Sequence, residues 1–173
     1  MNILRFLLLF IFFKFNFLIA AEPLPFNNIV LHKNPLQVSQ VKFKDFYLKD
    51  IEVNKNDGKI KVINFWATWC EPCKEEMPSL DKLQANPDFD NIKIFAINIG
   101  KETLDKVNKF FIDLNIKNFE PYFDPPTTLA KMFSLRGIPT TILINKDGQE
   151  FARIIGSINF EDKNFVKWIK KYN

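Results

Sequence analysis

Two cysteines and one histidine in 173 residues leave very little with which to build a metal centre. A structural zinc needs four such ligands, and the one histidine, His32, lies in an arm far along the chain from the cysteines. Covalent haem attachment is excluded because Lys74, not histidine, follows the second cysteine. Repeats and low-complexity linkers are absent, so solenoid and linker-joined architectures are set aside. The chain also lacks a basic stripe. Its formal net charge is +4, but Lys, Asp and Glu are interspersed, and the Lys167, Lys170 and Lys171 group falls on the polar face of a predicted helix. Nucleic acid is therefore not expected as a partner.

What is present is one domain's worth of ordinary globular sequence, 47% hydrophobic and 25% charged. The first 21 residues carry no acid. Arg5 precedes the apolar run Phe6 to Phe13, Lys14 and Asn16 interrupt it, and Phe17 to Ala21 resume it before Glu22, Pro23 and Pro25. A basic start, a short apolar stretch and small residues before a break read as a signal peptide over 1–21. The alternative is an uncleaved N-terminal anchor, against which Lys14 and Asn16 count. Without a cysteine near residue 20, a lipid anchor is not expected. Either form places the domain outside the cytoplasm, in the periplasm, with the inner membrane as a partner only if the leader stays attached.

Residues 22–37, with Pro23, Pro25 and Pro35, read as an irregular arm, and 38–173 as the domain. Val41 to Phe46 alternate apolar and polar, as in a half-buried strand, and Asn56-Asp57-Gly58 marks a turn. Ile60 to Trp66 form an apolar run suited to a central strand. A helix follows from about Pro72 to Gln84, with Pro78 inside it. Ile92 to Ile99 predict a second buried strand, and Leu104, Val107, Phe110, Phe111 and Leu114 recur at helical spacing. Pro121 to Asp124 predict a short extended piece, after which Asp124-Pro125-Pro126 open a helix. Thr140 to Ile144 and Glu150 to Ile155 flank a hairpin at Asp147-Gly148. Phe165, Trp168, Ile169 and Tyr172 form the stripe of a last helix. The pattern is an α/β sandwich around a central mixed sheet flanked by helices.

The chemistry lies in Cys70-Glu71-Pro72-Cys73, between a buried strand and a helix. At a helix N-terminus, free N–H groups and the helix dipole favour a thiolate at Cys70, and the first turn covers Cys73. Pro72 stiffens the loop. Redox chemistry is the leading reading. A Cu(I) carrier for oxidase assembly, using the same two thiols, and an inert short-loop disulfide are the others.

Phe65-Trp66-Ala67-Thr68-Trp69-Cys70-Glu71-Pro72-Cys73-Lys74-Glu75-Glu76-Met77-Pro78, with Gly137-Ile138-Pro139-Thr140-Thr141 downstream, resembles the thioredoxin-like thiol–disulfide oxidoreductases of the TlpA/ResA type over residues 38–172. The resemblance implies a thioredoxin-like fold with an N-terminal β-hairpin and a central insertion within residues 100–135. It implies a bacterial, extracytoplasmic protein disulfide reductase with no cofactor beyond the Cys70–Cys73 disulfide and no metal. Cys70 would be the nucleophile, Cys73 the resolving thiol, and Ile138–Pro139 a cis bond beside them. Trp69, Glu71, Pro72 and Ile138 would contact substrate, and Trp69 would wall the site, with Trp66 either a second wall or plain core. Thioredoxin has a buried Asp where this chain has Asn64, which cannot titrate. Glu76, three residues past Cys73, is the candidate substitute proton acceptor, at a position where the resemblance implies a functional Glu, and a solvated helix carboxylate is the alternative reading of it. Implied partners are a membrane thiol transporter as electron donor and apocytochrome c or a copper-site protein as acceptor. Glu71 opposes a thiolate at Cys70, so a reductant is expected, with disulfide oxidation or isomerisation as the alternative.

Overall fold

The computed structural model describes residues 23–53 and 57–172. The leader read over 1–21, and Asn56 of the first turn signal, lie outside the described residues. Among the described residues, eight strands form one mixed sheet. They are β1 (Ile29–Gln37), β2 (Lys42–Lys44), β3 (Asp50–Glu52), β4 (Ile60–Trp66), β5 (Ile92–Asn98), β6 (Pro121–Phe123), β7 (Thr140–Ile144) and β8 (Gln149–Ile155). Their order across the sheet is β1-β8-β7-β4-β5-β6-β2-β3. The helices are α1 (Glu71–Ala85), α2 (Leu104–Asp113), α3 (Thr128–Met132) and α4 (Lys163–Ile169), the last followed by a 3-10 turn over Lys170–Tyr172.

Strand β4 is central, and every one of its residues is buried. It runs parallel to β5 and antiparallel to β7. Alternation divides its side chains between two cores. Ile60, Val62 and Trp66 join a core with Met77 and Leu80 of α1, Val107 and Phe110 of α2, and Phe165 and Trp168 of α4. Ile63 and Phe65 face the other side, with Leu129 of α3 and Phe43 of the β2–β3 hairpin. The sheet is thus a middle layer, with α1, α2 and α4 packed on one side and α3 on the other, where Phe43 of β2 also contributes. Lys61 is buried in β4, and its ammonium reaches Asp57 at 2.5 Å and the Lys59 carbonyl at 2.9 Å.

Two sequence expectations need correction. The arm read as irregular over 22–37 carries a strand over 29–37: β1 pairs antiparallel with β8, with its register broken between Leu31 and Leu36. An edge strand tolerates Pro35 because one side of its backbone has no ladder to complete. His32 bonds Glu150 at 2.8 Å, and Arg153 holds the same carboxylate at 2.7 Å, which ties the broken stretch to β8. The third helix also starts later than expected. Pro125–Pro126 is a cis bond within a turn, and α3 begins at Thr128. Asp124 still acts as a cap, accepting from Leu129 N and Ala130 N at 2.9 Å each. Residues 100–135 hold α2, β6 and α3, and β6 extends the sheet to the hairpin. Among the described residues, no helix is long and apolar enough to cross a membrane.

Candidate active site

Register places the functional loops together. Trp66 at the end of β4 pairs with Asn98 at the end of β5, Asn98 pairs with Phe123 at the end of β6, and Phe65 pairs with Thr140 at the start of β7. The segments 67–70, 99–103, 124–127 and 137–139 therefore leave or enter the sheet at one end. This is the end at which open α/β sheets present their ligand-binding loops.

Cys70 and Cys73 are joined in a disulfide, with Cα atoms 5.2 Å apart. Cys70 is the N-cap of α1, its sulfur accepting from Cys73 N at 3.3 Å, and Pro72 sits in the first turn. Two backbone N–H groups, of Cys73 and Lys74, also converge on the Cys70 carbonyl. In this oxidised form Cys70 is 4% exposed and Cys73 fully covered, so the expected contrast between an open and a covered sulfur is small. Trp69 is 62% exposed beside them. Trp66 does not wall the site: it is core, stacked on Phe110 with centroids 4.7 Å apart. Glu71 and Pro72 are exposed, and Glu71 accepts from Lys74 Nζ at 2.7 Å, so its charge is partly offset.

Ile138–Pro139 is a cis peptide bond. Pro139 is buried immediately before β7, and its carbonyl accepts from Gly156 N at 2.9 Å. Ile138 is half-buried and packs against both cores, one of which contains Cys70 and Cys73.

Glu76 is not a solvated helix carboxylate. It is 1% exposed, one turn beyond Cys73 on the same buried face of α1. Asn64 lies on the α1 side of β4 by alternation, and its Nδ2 donates to Glu76 Oε1 at 2.8 Å and to Thr141 Oγ1 at 2.9 Å. Ile158 N donates to Glu76 Oε2 at 3.3 Å. Burial dominates these bonds and pushes the Glu76 carboxyl up to about 8. Asn64 Oδ1 is buried with no hydrogen-bond partner among the described residues. Glu76 also borders a surface cavity of about 460 Å³ lined by Ser157, Ile158 and Asn159.

A second carboxylate escaped the sequence reading. Glu102, in the loop between β5 and α2, accepts from Thr68 N at 3.0 Å, Asn98 Nδ2 at 2.9 Å and Lys106 Nζ at 3.0 Å, and also from the Thr68 hydroxyl. Its loop follows a buried strand with no periodic or motif signal, so only the fold reveals its proximity to the cysteine turn. Beside it, an apolar cavity of about 470 Å³ opens between the loops after β5 and β6. Among the described residues, no group of three or more His, Cys, Asp or Glu side chains is placed to hold a metal ion.

Residues 36–149 match the model of the AhpC/TSA family. The thiol–disulfide oxidoreductase ResA of Geobacillus thermodenitrificans is 33% identical over 132 residues, which are 73% of this chain and 75% of that protein. The thiol:disulfide interchange protein HelX of Rhodobacter capsulatus is 32% identical over 107 residues, 62% of this chain and 58% of that protein. Among solved structures, that of a DsbF homologue from Corynebacterium diphtheriae superposes with a TM-score of 0.71 at 20% identity, covering 87% of this chain and 97% of the other.

Proposed function

The chain belongs to the AhpC/TSA family and is a thioredoxin-like thiol–disulfide oxidoreductase of the ResA type, and from this premise we propose that it reduces protein disulfides outside the cytoplasm through Cys70 and Cys73. Its electrons come from a membrane thiol transporter, and its acceptors are disulfides of apocytochrome c or of copper-site proteins. The N-terminal leader exports it. The observation that carries the reading is the buried Glu76, one helical turn from Cys73 and held by Asn64. Among the described residues, no cation bonds this carboxyl. It therefore offers nothing to stabilise a thiolate at rest, but it can take a proton when one must leave.

In the reduced protein the Cys70 thiolate attacks one sulfur of a substrate disulfide. A mixed disulfide forms, and the other substrate sulfur leaves as a thiolate that takes a proton from solvent. Glu76 then accepts the proton of the Cys73 thiol. The Cys73 thiolate attacks Cys70, the Cys70–Cys73 disulfide forms, and the second substrate sulfur leaves. Two electrons have passed to the substrate, and Glu76 returns its proton through the cavity beside Ser157.

Asn64 suits both protonation states. Its Nδ2 donates to the carboxylate, and a half-turn of the amide would offer the unpartnered Oδ1 to the acid form. Pro139, in a cis bond and without an N–H of its own, suits a close passage of the chain by the sulfurs. Ile138, Trp69, Glu71 and Pro72 make the surface a substrate meets.

The test is the reduction potential of the pair, by equilibration in thiol buffers of known poise. A reductant gives a value near the thioredoxin end, about −270 mV; a value near about −120 mV would establish an oxidant instead.

A further inference from the structure

Thr68 and Trp69 are the two central residues of a turn closed by Cys70 N donating to the Ala67 carbonyl at 3.1 Å. In such a turn the N–H of the second residue has no partner inside the turn. Here that group is Thr68 N, and it donates to Glu102 Oε2, while the Thr68 hydroxyl donates to Oε1. One carboxylate thus grips the same residue twice. The grip is itself anchored. The Glu102 side chain is 4% exposed and is held by Asn98 Nδ2 from β5 and Lys106 Nζ from α2.

Space is closed as well. A Cβ on Gly100 would sit 2.5 Å from Glu102 Oε2 and 3.0 Å from the Ala67 Cβ, so any larger residue there would push the Glu102 carboxylate from its present place. Ile99 N donates to the Trp66 carbonyl at 3.0 Å, which stitches the same loop to the end of β4. Burial opposes the charge on Glu102, but the bonds from Thr68, Asn98 and Lys106 outweigh it and hold the carboxyl below its ordinary range. The carboxylate is an acceptor throughout the neutral range.

We infer that Glu102 is a positioning residue for thiol–disulfide exchange: it clamps the Ala67–Cys70 turn so that Trp69 and Cys70 meet the disulfide of a protein substrate in one fixed arrangement. The inference rests on the exchange chemistry and not on the direction of electron flow. A folded partner must align two chains and three sulfurs, so it depends on that arrangement. A small disulfide needs only a collinear approach to the sulfur and depends on it less.

The experiment compares Glu102→Ala and Thr68→Val with the parent, each reduced beforehand. The rates measured are those of reduction of insulin disulfides and of dithiobis(nitrobenzoate). With Glu102→Ala the insulin rate falls about tenfold and the small-disulfide rate falls less, so the ratio of the two drops at least about threefold; a 1 Å misplacement of reacting groups costs up to about a hundredfold. Thr68→Val, which removes the hydroxyl and keeps the N–H, moves the ratio the same way by a smaller factor. If Glu102→Ala does not fold by thermal unfolding, Thr68→Val decides alone. A ratio unchanged in the folded variants, whether both rates hold or both fall together, overturns the inference, since a purely structural carboxylate would not separate the two substrates.

Discussion

At Glu76, burial and hydrogen bonding pull in opposite directions, and burial prevails. The carboxyl is pushed up to about 8, above the value of about 4.3 in an unfolded chain. A raised acid favours the folded state below its unfolded pKa and loses that advantage as pH climbs to the folded one. This group therefore makes the protein less stable between about pH 4.5 and 8, on the order of several kcal/mol across the window. Glu76→Gln keeps the volume and cannot ionise. In urea unfolding at pH 5 and pH 9, the parent should lose stability relative to the variant at the higher pH, and equal pH dependence would refute the assignment. The same substitution should slow resolution of the mixed disulfide by about a hundredfold, in line with loss of a general base. The Cys-x-x-Cys spacing and the one-turn offset to Glu76 were legible because they are local. The bond from Asn64 was not, since it joins residues from a strand and a helix. Glu102 was hidden for the same reason: its partners, Thr68 and Asn98, become neighbours only when β4 and β5 pair.

The elements that announced themselves are those whose own burial writes the pattern. Strands β4 and β7 are buried throughout and appear as apolar runs, and α1 shows its inner face as Cys73, Met77, Leu80 and Leu83. Strand β1 buries little beyond Ile29 and leaves Val30, Leu31 and Leu36 exposed, so it has neither alternation nor a run to read. Its existence depends on pairing with β8, which no local signal reports. The start of α3 is hidden in the sequence because Asp124 caps it from a distance, across the Pro125–Pro126 turn. A further long-range clamp joins α1 to the segment after α2. Asp81 is buried, with Oδ1 accepting from Lys117 N at 3.0 Å and Asn118 N at 2.7 Å, and Oδ2 from Asn118 Nδ2 at 2.7 Å. Asp81→Ala leaves these donors without acceptors and should cost about 3 kcal/mol, roughly 10 °C in thermal unfolding. Asp81 lies more than two turns along α1 from Cys73, so the reduction potential of the variant should stay at the parent value. A shifted potential would mean that α1 transmits strain to the disulfide.

For the molecule as a whole, the redox potential and the folding stability are two readings of one quantity. The pair can be reduced in the folded or the unfolded chain, and the cycle must close. Any difference between its folded and unfolded potentials therefore equals the difference in stability between the oxidised and reduced proteins, at about 1.4 kcal/mol per 30 mV for two electrons. An oxidant gains its power from a stabilised reduced form, through a thiolate that its surroundings favour. Here the surroundings give Cys70 a helix N-terminus, while its neighbour Glu71 opposes a thiolate but is already engaged by Lys74, and the buried Glu76, raised to about 8, resists taking on any further negative charge beside the pair. The balance disfavours a thiolate, so the folded disulfide should be the more stable state. Urea unfolding of the oxidised protein should show a higher midpoint than that of the protein held in excess dithiol, and the gap should match the measured potential when converted. The opposite order would make the protein an oxidant, whatever its relatives do, because the sign of this gap is fixed by the same charges that set the direction of electron flow.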